Sequence, residues 1–118
     1  MPKEFIQIVT TTADRDSADK IATNILNRRH GACVQISGPI ESSYWWNGRL
    51  ETAREFTCTI KTLRDKFAQA EKTILEFHPY DQPEILATPV VAITADYAAW
   101  LVEQLQPPKK VAAKDDDK

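Results

Sequence analysis

Three observations predict an α+β fold with one antiparallel sheet and helices packed against it. Apolar residues switch between period two and helical spacing in the order β-α-β-β-α-β-α. An Asn-Gly pair, Asn47-Gly48, joins two long extended runs, which is the strongest short hairpin signal. The 118 residues, 42% apolar and 27% charged, are enough for one core without staples. The first six elements follow the split βαβ, ferredoxin-like plan, in which both crossovers are right-handed. A single domain is expected over residues 1–106, followed by a charged tail over 107–118.

The elements read as follows. "EFIQIVTTT" alternates, with Ile6 and Ile8 on one face and Phe5, Gln7 and Val9 on the other, as a strand does. "DRDSADKIATNILNRRHG" carries an apolar helical stripe of Ala18, Ile21, Ala22, Ile25 and Leu26, with Asp and Ser at its start and Gly31 as its stop. "ACVQISGPIESSYWW" and "RLETAREFTCTIKT" flank the Asn-Gly turn as two arms of a hairpin. "LRDKFAQAEKTILEFH" predicts a second helix burying Phe67, Ala70, Ile74 and Phe77, ended by Pro79. "PEILATPVVAI" gives a short strand in which Pro89 marks an edge, a bulge or the strand's end. "TADYAAWLVEQLQPP" gives a third helix from about Thr94, with Tyr97, Leu101, Val102 and Leu105 on its apolar side and Trp100 as a helix-to-sheet core residue.

The hairpin allows a register to be derived. A two-residue turn pairs Trp46 with Arg49, so paired numbers sum to an odd value. Yet Val34, Ile36, Phe56, Cys58 and Ile60 are all even-numbered, and directly opposed residues share a face. One extra residue is therefore required, and Gly38-Pro39 is the place for the bulge. Beyond it Cys58 lies opposite Ile36 as a small buried hydrophobe. Cys33 lies opposite Lys61 on the other face, so an intrachain disulfide is not expected. A lysine beside a thiol favours the thiolate, the nucleophilic and metal-binding form; the plainer alternative is a partly buried thiol beside a lysine that merely snorkels.

Each arm is far longer than an ordinary strand of roughly 5–6 residues, and the other strands are too short to accompany it. A tip carrying Tyr44, Trp45 and Trp46 is costly to leave wet. These three residues are expected to meet other subunits.

Several function classes are set aside. Formal net charge is −2, and without the last ten residues 11 basic side chains stand against 14 acidic ones, so neither a nucleic-acid nor a membrane partner is expected. The N-terminus shows no signal peptide or membrane span, and a cytoplasmic location is expected. No glycine-rich phosphate loop or catalytic triad is present, and a Cys33/His78 dyad is the sole nucleophile-base pair for an enzyme. With two His and two Cys and no CxxC or HxxxH spacing, the chain supports only a weak, exchangeable cation site. His78 equally serves as a helix terminator whose cationic form suits the carbonyl end; Glu84 either ligates or pairs with a lysine, and Tyr80 packs with a hydrogen-bonded hydroxyl.

"GACVQI", "SSYWWNGRLE", "TIKT", "HPYDQPEI" and "YAAWL", in that order and spacing, resemble the CutA family of divalent-cation tolerance proteins across residues 4–105. The chain departs slightly, with "HGACVQ" for the more usual "LAACVN" and "NG" for "EG". The resemblance implies a ferredoxin-like subunit in a homotrimer, with sheets packed inward and hairpins crossing to neighbours. It implies tolerance of copper and other divalent cations, with Cys33 as the metal-contacting residue; His78 would join it as a ligand only through tertiary or quaternary contact. Lys61, with His78, Tyr80 and Glu84, would line a cleft between subunits. The architecture is similar to that of PII signalling proteins, so a small-molecule sensor is the alternative expectation.

Overall fold

A computed structural model describes residues 3–107; the tail expected from residue 107 lies, from 108 on, outside the described residues. The elements are β1 (Phe5–Thr12), α1 (Arg15–Asn27), β2 (Cys33–Trp46), β3 (Arg49–Leu63), α2 (Phe67–Phe77), β4 (Ile85–Pro89) and α3 (Ala95–Gln104). The sheet has the order β2-β3-β1-β4 with every neighbour antiparallel. This is the split βαβ arrangement the element order predicts. Pro89 closes the short edge strand β4, where its missing N–H costs no ladder bond.

Local chemistry sets the helices. Asp14 caps α1 by accepting from the Ser17 N–H at 2.8 Å, which satisfies one of the donors a helix start leaves open. The chain leaves α1 through Arg29, whose φ of 62° is left-handed. Gly31, expected as the stop, has another role: a Cβ there would lie 2.6 Å from Ile60 Cγ2 and 2.8 Å from Ile25 Cγ2. The glycine lets the chain pass hard against the core. Ahead of α2, Arg64–Lys66 form a tight 3-10 turn instead of continuing the α-helix.

Alternation places Ile6, Ile8 and Ile60 against Ile21, Ile25, Ala70 and Ile74 of α1 and α2. Cys58 is fully buried on this side, and its thiol contacts the Ala18 carbonyl at 3.7 Å. Burial pushes that thiol up to about 11. Leu26, assigned to the stripe of α1, is instead exposed.

α3 packs on the opposite face. Leu101 and Leu105 bury themselves with Leu63, against Phe5 and Ala32. The Arg29 guanidinium donates to the Gln104 carbonyl at 3.0 Å, fastening the end of α3 to the turn after α1. Trp100 is not a core residue. It is 42% exposed and stacks on Tyr97 at 5.4 Å, because the stripe that docks runs through Leu101 and Leu105.

The hairpin register follows the parity argument. Cys33 pairs with Lys61, Ile36 with Cys58, and the slip falls between Ser37 and Ile40. Gly38 takes φ 138°, and Asn47 and Gly48 take 52° and 74° at the tip, as a type I′ turn requires. β1 accompanies β3 only as far as the Thr12–Phe56 pair. Beyond it, residues 40–55 form a bare two-stranded ribbon, and the subunit is 57 Å along its longest axis.

Candidate functional site

The expected site residues fall into two separate regions. The first is one row of the sheet. Cys33, Lys61 and Gln7 are aligned across β2, β3 and β1. All three face away from α1 and α2, as strand alternation dictates. Cys33 is a half-buried free thiol. Tyr97 of α3 leans over it, and burial, followed by the adjacent Cys33, raises the pKa of the Tyr97 hydroxyl from its ordinary value. Lys61 lines a small cavity of about 230 Å³ with Gln7, Phe5, Ile93 and Tyr97.

The second region lies at the other end of β1, where β4 begins. His78 follows α2, and its Nε2 lies 2.8 Å from the Thr11 carbonyl. Its Nδ1 accepts the Tyr80 N–H at 3.1 Å. The acceptor role of Nδ1 leaves the proton on Nε2, which donates to Thr11. Burial lowers the imidazole pKa from its usual value, with the Thr11 carbonyl and Glu55 pulling weakly the other way. A neutral ring with both nitrogens engaged has no lone pair free for a metal.

Cys33 and His78, expected together, are therefore not joined within the chain. The Thr11 and Gln7 rows lie four residues apart on β1, about 13 Å at strand rise. Lys61 is likewise separated from Tyr80 and Glu84; it stands six positions along β3 from Glu55, about 20 Å. Among the described residues no three His, Cys, Asp or Glu side chains come close enough to hold one metal ion.

Sequence reasoning missed Glu55. It is 6% exposed although it lies on the ribbon, opposite Ile40. Tyr80 donates its hydroxyl to Glu55 Oε2 at 2.8 Å. Burial, then the Glu55 carboxylate, push the Tyr80 hydroxyl well above the ordinary phenol range. Tyr80 thus has the hydrogen-bonded hydroxyl expected of it, on an acid that strand alternation alone could not show to be covered. Both residues line a cavity of about 810 Å³ that includes Tyr44, Trp46 and the exposed Glu84. At the tip Tyr44, Trp45 and Trp46 remain 41%, 72% and 50% exposed in the single chain.

The model of a family described as "CutA1 divalent ion tolerance protein" matches residues 6–104. The chain belongs to the CutA1 family. A divalent-cation tolerance protein CutA of Pyrococcus horikoshii is 34% identical over 100 residues, covering 85% of this chain and 97% of that one. Solved CutA structures superpose closely. That from Archaeoglobus fulgidus, described as a periplasmic divalent cation tolerance protein, has a TM-score of 0.83 at 32% identity over 86% of this chain and 99% of that one. That from Ehrlichia chaffeensis has a TM-score of 0.84 at 25% identity, covering 91% of this chain and all of the other. Family membership accounts for the ferredoxin-like sheet and the long hairpin together. Among the described residues no helix is long and apolar enough to cross a membrane.

Proposed function

We propose that this CutA1-family protein is a homotrimer that binds copper or a similar cation weakly through Cys33 and so contributes to metal-ion homeostasis. The observation that carries the reading is the Cys33 thiol, free, half-buried and set across the strand from Lys61. A thiolate suits soft and borderline cations such as copper. One thiolate per chain makes a weak site unless other copies add donors. His78 is left out of the proposed ligand set because both of its nitrogens are engaged. Support for assembly comes from the bare ribbon with its exposed Trp45, Trp46 and Leu50, an apolar surface that another copy would cover. A cytoplasmic location fits this reading, because a reducing compartment keeps the half-buried Cys33 thiol free for a cation.

Isothermal titration with copper tests the cation reading. Cys33→Ser is expected to abolish or strongly weaken the binding, while Cys58, buried and held protonated, is the internal control. Equal binding by Cys33→Ser removes the claim. Light scattering on the purified protein is expected to give the mass of three chains.

A second reading, a PII-like small-molecule sensor, is favoured by the 810 Å³ cavity, a size typical of ligand pockets. Melting-temperature shifts across a panel of metabolites, anions, nucleotides and amines test it.

A further inference from the structure

The turn between α1 and β2 carries His30, a half-buried histidine that neither the cation reading nor the sensor reading uses. Residues 28–32 are tied to three elements at once. The Arg28 guanidinium donates to Thr73 Oγ1 at 3.2 Å and to the two carboxylate oxygens of Glu76 at 2.9 and 3.4 Å, both residues lying on α2. Arg29 holds the end of α3 through the Gln104 carbonyl. The His30 carbonyl accepts the Thr62 hydroxyl of β3 at 2.8 Å, and the Ala32 N–H donates to the Lys61 carbonyl at 2.9 Å. That last bond leads directly into the Cys33–Lys61 pair.

The His30 ring closes this turn onto α2. Its Nδ1 lies 3.0 Å from Thr73 Oγ1, and Thr73 is 1% exposed. Thr73 Oγ1 already accepts from Arg28, so its own hydrogen goes to His30 Nδ1. The ring is then neutral, with its proton on Nε2. Proton uptake at Nδ1 turns that acceptor into a donor. Two cationic donors, guanidinium and imidazolium, would then converge on one buried hydroxyl whose own hydrogen has lost its acceptor.

The surroundings do not favour the charged ring. The charges that bear on it are Lys66, from the tight turn ahead of α2, and Arg28, and both are positive. The acid that α2 brings to the cluster, Glu76, is engaged by Arg28 through both of its oxygens. β3 presents the neutral Thr62 hydroxyl, and α3 gives its carbonyl to Arg29. Burial first, then Lys66 and Arg28, lower the His30 pKa from 6.5, so charging this ring works against the fold.

We infer that His30 is an acid-released latch. Neutral, it fastens the α1–β2 turn to α2 through Thr73; charged, it gives up that bond and the turn loosens ahead of the rest of the fold. Because the same turn carries the Ala32–Lys61 bond, the latch puts the placement of Cys33 beside Lys61 under the control of pH. It sits at the foot of the hairpin, at the opposite end from the tip, and needs no bound ligand. It is independent of copper at Cys33.

Amide hydrogen exchange on the full-length protein, corrected for the intrinsic effect of pH, tests it. Between pH 8 and pH 5, protection of the His30 and Ala32 N–H groups is expected to fall roughly tenfold or more, and that of the core amides of Ile8 and Ile60 to fall less. His30→Gln, which cannot take the charge, is expected to lose this fall, and His78→Asn to keep it. Lys66→Gln touches none of the latch's hydrogen bonds; it is expected to move the midpoint of the fall upward toward pH 6.5, and it carries the test if His30→Gln does not fold. Equal protection of His30 and Ala32 at both pH values overturns the inference. So does a fall that survives in His30→Gln, or a midpoint that Lys66→Gln leaves unmoved. A fall shared equally by Ile8 and Ile60 also overturns it, since the whole subunit is then opening and not the turn.

Discussion

Cutting Trp45 to alanine should loosen the proposed trimer without harming the subunit. Trp45 pairs across the ribbon with Leu50, and the two are 72% and 65% exposed in the single chain. A tryptophan side chain can bury up to about 250 Å², so the 72% exposure leaves about 180 Å² for another copy to cover. At about 25 cal/mol per Å² that area is worth about 4.5 kcal/mol. An alanine recovers part of it, leaving a loss of about 3 kcal/mol, at the low end of the 3–5 kcal/mol seen when buried tryptophans are truncated. A departing subunit uncovers at least its own tip. At 1.4 kcal/mol per decade, Trp45→Ala should therefore exchange subunits roughly 100-fold faster. The assay mixes donor-labelled and acceptor-labelled protein and follows energy transfer, which reads dissociation however tight the assembly. Exchange within twofold of wild type would refute the reasoning that tip burial holds the copies together.

Three further outcomes follow from the subunit itself. Gly31→Ala drives a methyl into Ile60 and Ile25; overpacking of about 1–3 kcal/mol outweighs the backbone gain of about 0.4–1 kcal/mol, and denaturant unfolding should show a net loss of about 1–2 kcal/mol. His78 and His30 both have pKa values lowered from 6.5, chiefly by burial; stability is full above that value and falls as pH drops through it toward the lowered folded values, because the unfolded chain takes up the protons first. Denaturation midpoints at pH 8 and pH 5 should show that loss, and His78→Asn should diminish it. Cys58, fully buried with its thiol pushed up to about 11, should resist iodoacetamide in the native protein and react only on unfolding, as peptide mapping would show.

Parity carried much of the fold. Opposed residues share a face, so the even-numbered apolar set forced a bulge at Gly38-Pro39, and with it the Cys33–Lys61 and Ile36–Cys58 pairs. The third helix was legible as a helix but not in its placement. A stripe says that one side is buried, not against which face of the sheet, and Leu101 and Leu105 chose Phe5 and Leu63. Trp100 is as apolar as its neighbours, yet lies one helical step off that contact and stays exposed. The candidate site was legible as residue types but not as a constellation. His78 looked like a metal ligand because its Thr11 partner is a tertiary fact, and the local turn that brings the Tyr80 N–H to its Nδ1 leaves no mark in residue types. Glu55 carried no signal, since its cover arrives from Tyr80, twenty-five residues later.

The central claim is that Cys33 contacts the bound cation. X-ray absorption at the copper edge of the loaded protein tests it most directly. The account predicts a copper–sulfur shell in the wild type that vanishes in Cys33→Ser. A shell of nitrogen and oxygen alone in the wild type, or a sulfur shell that survives Cys33→Ser, would contradict it.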